Sequence, residues 1–299
     1  MKENNIKKLV RETYGRIALG SDAFQEKETC SPDVPCGCCG PVSQSKNKNR
    51  SMHSCCTGGS SHISKTIGYS DEDLAQIPEG SDAGLGCGNP VALASLKEGE
   101  VVLDLGSGLG IDCFLASKIV GTSGKVIGVD MTPQMIEKAR DHAEKENYTN
   151  VEFRLGEIET LPVADKSVDV IISNCVINLV PNKEKVFQEA FRVLKPGGRI
   201  MVSDIVLVNE LPKFIQQSVE AYVGCLSGAV LKEKYLEMIR NSGFINIDIQ
   251  KETSLSVDLA ANDPTAQAIM EYSHISHEEA EDIFTSVLSM SVKGEKPHA

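Results

Sequence analysis

VVLDLGSGLGIDCFLASKIV, residues 101–120, decides how the rest of the chain is read. It opens as an apolar run broken by Asp104, turns on Gly106, Gly108 and Gly110, and continues as an apolar helix. The next run, KVIGVD, ends in Asp130, twenty residues after Gly110. A strand, a glycine turn and a helix, followed by an acid at the end of the second strand, form a nucleotide-binding constellation. The glycines let the main chain approach a ligand closely, and an acid at Asp130 can accept both hydroxyls of a ribose.

The pattern repeats outward from this unit. TPQMIEKARDHAEKEN reads as a helix with Thr132 as cap and Pro133 in its first turn. VEFRLG and VDVIISN read as strands, KEKVFQEAFRVL as a helix, KPGG as a turn and RIMVSDI as a strand. FINIDIQKE and SVLSMSVKGEKP add two more strands, with helices through KFIQQSVEAYVGCL and KEKYLEMIRNSGF. Upstream, residues 1–20 carry apolar positions at helical spacing, and SDEDLAQIP reads as a short helix capped by Ser70. Strands alternating with helices predict an α/β fold: a doubly wound, mostly parallel, seven-stranded Rossmann-like sheet. An N-terminal helical and Cys-rich extension and a C-terminal α+β segment flank it. The expected division is 1–69 for the first helix and Cys-rich insert, 70–205 for the nucleotide-binding core, and 206–299 for a further helical segment and closing strands. Residues 253–284 have no clear pattern.

Composition narrows the function classes. With 41% hydrophobic and 24% charged residues, the chain reads as an ordinary globular protein. A formal net charge of −12 argues against nucleic-acid and anionic-membrane partners. No apolar run reaches transmembrane length, and the polar start MKENNIKKLV does not resemble a signal peptide, so the expected compartment is the cytoplasm. There the ten cysteines are expected to be reduced, available as soft-metal ligands or redox groups.

The glycine spacing is G-x-G-x-G rather than the dinucleotide G-x-G-x-x-G. DLGSGLG resembles the first motif of class I S-adenosylmethionine-dependent methyltransferases. Asp130, GEIETLP and the block VLKPGGRIMVSD resemble that family in the same order. The resemblance implies S-adenosyl-L-methionine as cofactor. Asp104, Gly106, Ser107, Gly108 and Gly110 are then expected around its methionine part, Asp130 on the ribose and Met131 on the adenine. Glu157 and Ile158 match the adenine-edge positions, and Asn174 falls near the transferable methyl.

Three cysteines outside the insert have unlike flanks: Cys87 in GLGCGNP, Cys175 in SNCVINLV and Cys225 in YVGCLSGA. None belongs to a CxxC pair. Cys175 must lie at the carboxyl edge of the sheet, and the segments bearing Cys87 and Cys225 can fold over that edge. Carbon, nitrogen and oxygen acceptors want a general base or an orienting polar pocket. A set of thiols instead suits a soft acceptor. Arsenite fits, because trivalent arsenic takes three sulfurs in a pyramid and keeps a lone pair. ETYGRIA, GLGCGNP, DLGSGLGIDC, GVDMT, SNCVINLVPNKEKVFQEAFRVLKPGG and GCLSGA together resemble arsenite S-adenosylmethionine methyltransferases. That resemblance implies As(III) ligation by Cys175, Cys225 and Cys87, with Cys30 as a fourth thiol. It implies arsenite delivered as a thiol complex, methylated arsenicals as products, and a thiol reductant of the glutathione or thioredoxin type between rounds. Cys113 reads as a packing residue.

The stretch from Cys30 to Lys65 departs from the family pattern and reads as a long loop. Its Cys36, Cys38, Cys39, Cys55 and Cys56 could capture arsenite, assist reduction, bind zinc or copper, or do nothing specific. His53 and His62 read as solvent-facing. Two other functions share parts of this pattern: a quinone- or sterol-type C-methyltransferase with replaceable cysteines, and a non-catalytic thiol-rich metalloid-binding protein.

Overall fold

A computed structural model of the protein describes residues 3–20, 60–254, 283 and 285–298. Cys30, Cys36, Cys38, Cys39, His53, Cys55, Cys56 and most of residues 253–284 lie outside the described residues.

In chain order the helices are Glu3–Ala18 (α1), Ser60–Ile67 (α2), Asp71–Ala75 (α3), Pro90–Leu93 (α4), Ile111–Val120 (α5), Pro133–Lys145 (α6) and Lys183–Val193 (α7). Lys213–Gln216 (α8), Val219–Val223 (α9) and Lys232–Asn241 (α10) follow. The strands are Val101–Leu105 (β1), Lys125–Asp130 (β2), Val151–Leu155 (β3), Val168–Asn174 (β4), Leu194–Leu207 (β5), Ile245–Ser254 (β6) and Val287–Glu295 (β7). They form one seven-stranded sheet in the order β3-β2-β1-β4-β5-β7-β6. The first five are parallel, and β7 runs antiparallel to both β5 and β6. The doubly wound, seven-stranded α/β architecture read from the sequence is therefore the observed one.

The inner parallel strands β1, β2 and β4 are buried on both faces, which explains their near-continuous apolar sequence, whereas the edge strand β3 buries only Phe153. Alternate side chains build two cores. Leu103, Leu105, Ile171, Ile200 and Val202 pack with Phe187, Ala190, Tyr235 and Ile239 of α7 and α10. Val102, Val126, Val170 and Ile172 pack with Cys113, Phe114, Ile136 and Ala139 of α5 and α6. The same period of two sends Asp104 and Asn174 toward the α5 face, at the carboxyl ends of neighbouring strands β1 and β4. Strand order reverses between those two strands, so a crevice opens there.

Local differences from the sequence reading have physical causes. KPGG is a bulged part of β5 rather than a turn, because Gly197 N–H donates to Lys296 O at 3.0 Å and Lys296 N–H to Gly198 O at 2.8 Å. Thr132 occupies the cap position of α6 without a side-chain capping bond; its N–H donates to Asp130 instead, at 2.8 Å. The expected loop up to Lys65 ends early, in α2, where Ser64 is buried and its hydroxyl donates to Asp82 at 2.7 Å. The Ser70 cap forms a full capping box with Asp73. Among the described residues, no helix is long and apolar enough to cross a membrane.

Candidate active site

One cleft runs over the β1–β4 switch point. The glycine loop, the ends of β2 and β4, the loop after β3, α1 and the turn at Cys225 line it. The loop takes left-handed backbone where a side chain is least tolerated: φ is +71° at Gly106 and +52° at Gly108. A Cβ on Gly106 would lie 2.4 Å from Val176, whereas one on Gly108 would meet nothing within 4 Å. Gly108 therefore presents bare backbone to the cleft. Gly110 does not line it; this glycine caps α5, and a Cβ there would run into Phe114 and Phe153. The missing Cβ lets helix α5 pack closely against β3.

Asp130 braces the loop by accepting from Gly108 N–H at 3.0 Å and from Thr132 N–H at 2.8 Å. Burial raises its pKa, with those two hydrogen bonds pulling the other way. Asp104 and Asp112 are both buried, and burial raises both, Asp112 to about 6 and Asp104 well above the usual carboxylate range. Cys113 donates its thiol to Asp104 at 3.3 Å from within the α5 core, which fits the packing role read for it. A buried acid pair is suited to a cationic ligand group. Ser107 Oγ is buried without a hydrogen-bond partner. An orphaned hydroxyl, an open glycine cradle and buried carboxylates fit S-adenosylmethionine, which carries an ammonium and a sulfonium. Met131, Glu157, Ile158 and Asn174 line the same cleft.

Helix α1 closes the cleft from above. Lys7 pairs with Glu157 at 2.8 Å and Glu159 at 2.5 Å, and Arg11 with Glu157 at 3.6 Å. Tyr14 donates its hydroxyl to Val223 O at 3.1 Å and packs beside Met131, Cys175 and Cys225. It thus spans from the cofactor end to the thiol end. Only its motif, ETYGRIA, marked it in the sequence.

The thiols converge at that second end. Cys175 and Cys225 line the cleft, and Cys225 Sγ donates to Cys175 O at 2.8 Å. Both are non-glycine residues in left-handed conformation, with φ of +57° and +65°. Cys87 packs beside Cys175, and ligand atoms of Cys87, Cys175 and Asp204 all lie within 4.8 Å of one another. The pKa of each thiol is raised. For Cys225, the hydrogen bond with Cys175 and burial both push it up. For Cys87, a hydrogen bond with Cys175 lowers it, and burial with neighbouring negative charge outweighs that; for Cys175, a hydrogen bond with Cys225 lowers it, and one with Cys87, burial and neighbouring negative charge together outweigh that. Cys30 lies outside the described residues.

Two side chains fix this geometry. Asn174 Oδ1 accepts from Cys87 N–H at 3.0 Å, while its Nδ2 reaches Gly88 O at 2.8 Å and Tyr69 OH at 2.9 Å. Tyr69 donates in turn to Asp112 at 2.7 Å. Asn174, read as a cofactor contact, is thus also the clamp on the Cys87 segment. Asp204 was not singled out in the sequence. It is fully buried in β5 and accepts from Asn178 at 2.9 Å, from Tyr235 at 3.0 Å and from Ile205 N–H at 3.1 Å. An acid inside the apolar strand RIMVSDI was the available signal, since buried carboxylates are rare without a role.

Residues 96–243 match the family described as a methyltransferase domain. An arsenite methyltransferase from Halobacterium salinarum is 43% identical over 249 residues, covering 81% of this chain and 58% of that protein. A human arsenite methyltransferase is 41% identical over 168 residues, 53% of this chain and 44% of that protein. The chain therefore spans about half the length of these curated relatives. The crystal structure of an arsenic (III) S-adenosylmethionine methyltransferase from Chlamydomonas reinhardtii superposes with a TM-score of 0.58 at 31% identity, covering 79% of this chain and 73% of that one. With the fold, the glycine cradle and the relatives in agreement, the chain belongs to the arsenite S-adenosylmethionine methyltransferase family.

Proposed function

We propose that the protein methylates trivalent arsenic at Cys87, Cys175 and Cys225, using S-adenosylmethionine. The observation that carries this reading is that Cys175 and Cys225 line one end of a cleft, with Cys87 beside Cys175, and the glycine loop and Asp130 line its other end. Gly106, Ser107, Gly108, Asp104, Asp130, Met131, Glu157 and Ile158 would hold the cofactor, which supplies an electrophilic methyl on a sulfonium. The thiols exchange for the thiol ligands that deliver arsenite. Each protein S–H proton leaves on the departing small thiol, so the exchange needs no net acid or base. Three sulfurs satisfy arsenic and keep its lone pair free, and no general base is required at the acceptor. Holding acceptor and methyl donor in one cleft supplies rate through positioning. Ligation by three thiolates leaves no coordination position for water on arsenic.

The cellular setting follows from the same chemistry. Free thiols need a reducing compartment, so the proposed location is the cytoplasm, with a glutathione- or thioredoxin-type thiol restoring oxidation state between rounds. The direct test incubates the protein with labelled S-adenosylmethionine, arsenite and a dithiol, and separates the arsenic species. Methylated arsenicals are expected. Tight arsenite binding without methylated product would point to sequestration, and label in a quinone or sterol would point to a carbon methyltransferase.

A further inference from the structure

Asp204 has no part in the scheme above, yet its carboxylate lies beside Cys87 and Cys175. Its carboxylate is fully buried in β5, an interior strand of the sheet. A ligand oxygen of Asp204 and the sulfurs of Cys87 and Cys175 lie within 4.8 Å of one another. Cys225 Sγ is held against Cys175 by its bond to Cys175 O at 2.8 Å. Two sulfurs, a carboxylate and an adjacent third sulfur make a mixed donor set.

Such a set distinguishes two kinds of guest. Trivalent arsenic bonds to three sulfurs, and its lone pair occupies the fourth direction, so a carboxylate gains nothing by approaching it. A d10 divalent cation such as Zn²⁺ has no such lone pair and takes four ligands tetrahedrally, with Zn–S of about 2.3 Å and Zn–O of about 2.0–2.2 Å. Those bond lengths place donors within about 4 Å of each other, so closing the spacing of Cys87, Cys175 and Asp204 needs only small side-chain movements, while Cys225 must turn its thiol from Cys175 O to join them. Asn178, Tyr235 and the Ile205 N–H already orient the carboxylate by hydrogen bonds, as a ligating carboxylate requires.

We propose that Cys87, Cys175, Cys225 and Asp204 form a tetrahedral site for a thiophilic divalent cation, Zn²⁺ or Cd²⁺, which competes with arsenite for the same thiols. Asp204 is the ligand that belongs to the divalent cation alone. The site makes the protein sensitive to zinc or cadmium at the arsenic-binding end of the cleft. Only the competition rests on the arsenite reading of the thiols; cation binding stands by itself.

The test uses the full-length reduced protein with Cys30, Cys36, Cys38, Cys39, Cys55 and Cys56 changed to Ser, so that the insert cannot bind metal. Zn²⁺ titration is followed by calorimetry, and zinc-edge X-ray absorption counts sulfur and oxygen neighbours. The expected result is one Zn²⁺ with three sulfur ligands and one oxygen ligand, displaced by arsenite. Asp204→Asn should weaken zinc roughly tenfold or more while arsenite affinity stays unchanged. Absence of stoichiometric zinc binding overturns the proposal. So does zinc coordinated by sulfur alone in the unsubstituted Asp204 protein, a readout that does not depend on the variant folding. Zinc binding that arsenite cannot displace, with arsenite still bound, removes the competition; failure of arsenite to bind would sink the arsenite reading while leaving the cation site standing.

Discussion

Cys225 donates its thiol to the main-chain oxygen of Cys175 at 2.8 Å, and both residues sit in left-handed backbone. Strain of about 1–3 kcal/mol at each such residue persists only where the surroundings over-determine it. Here the surroundings aim two sulfurs from different segments at one point. Cys175→Ser and Cys225→Ser are each expected to abolish arsenite methylation while calorimetric binding of S-adenosylhomocysteine survives. Activity in either single variant would refute the ligand assignment.

Asn174 holds the Cys87 segment through Cys87 N–H and Gly88 O. Removing it leaves those part-buried groups without their partner, at a cost of about 1 kcal/mol. Asn174→Ala should reduce the arsenic–sulfur coordination number, measured by arsenic-edge absorption, from three toward two. Three sulfurs in the variant would show that Cys87 needs no clamp.

Lys7 ties α1 to Glu157 and to the buried Glu159. Exposed ion pairs contribute little, but stranding a buried carboxylate is costly. Lys7→Ala should loosen α1 over the cleft and raise KM for S-adenosylmethionine several-fold, with KM for arsenite less affected. An unchanged cofactor KM would mean that α1 does not secure the cofactor end.

Asp204 has its pKa raised by burial from 3.8 to about 7. Because the folded value exceeds the unfolded one, its contribution to stability is present in full below the unfolded pKa. That contribution is lost as pH rises through about 7. Between these values the group alone lowers stability by up to about 1.4 kcal/mol per pH unit. Asp204→Asn should flatten the fall in unfolding free energy across that window, as read from urea denaturation at several pH values. Parallel curves for the two proteins would contradict the shift.

Gly106 and Gly108 separate stability from binding. Gly106→Ala meets Val176 and should lower the melting temperature. Gly108→Ala points into open space, so its larger effect should be on cofactor affinity. The reverse ranking would show that the cradle lies elsewhere.

Much of this was legible from local pattern. Apolar strands spaced by amphipathic helices admit few topologies, and the glycine turn followed by Asp130 located the cleft within the fold. SNCVINLV ends β4, so Cys175 had to lie at the carboxyl edge of the sheet. The bulge at KPGG and the left-handed φ of the two cysteines were not legible, because partners distant in sequence impose them.

The sequence by itself determined the doubly wound sheet and the glycine turn that opens the cleft, and it marked three candidate thiols, since strand period, glycine spacing and residue type are local properties. Tertiary structure alone decided that Asn174 clamps Cys87, that Tyr14 bridges the two ends of the cleft, and that Asp204 stands among the sulfurs. Those relations join segments as far as 209 residues apart, as in the bond from Tyr14 to Val223, and depend on side-chain direction within a packed core. Periodicity says which face a residue occupies; only packing says what it meets there.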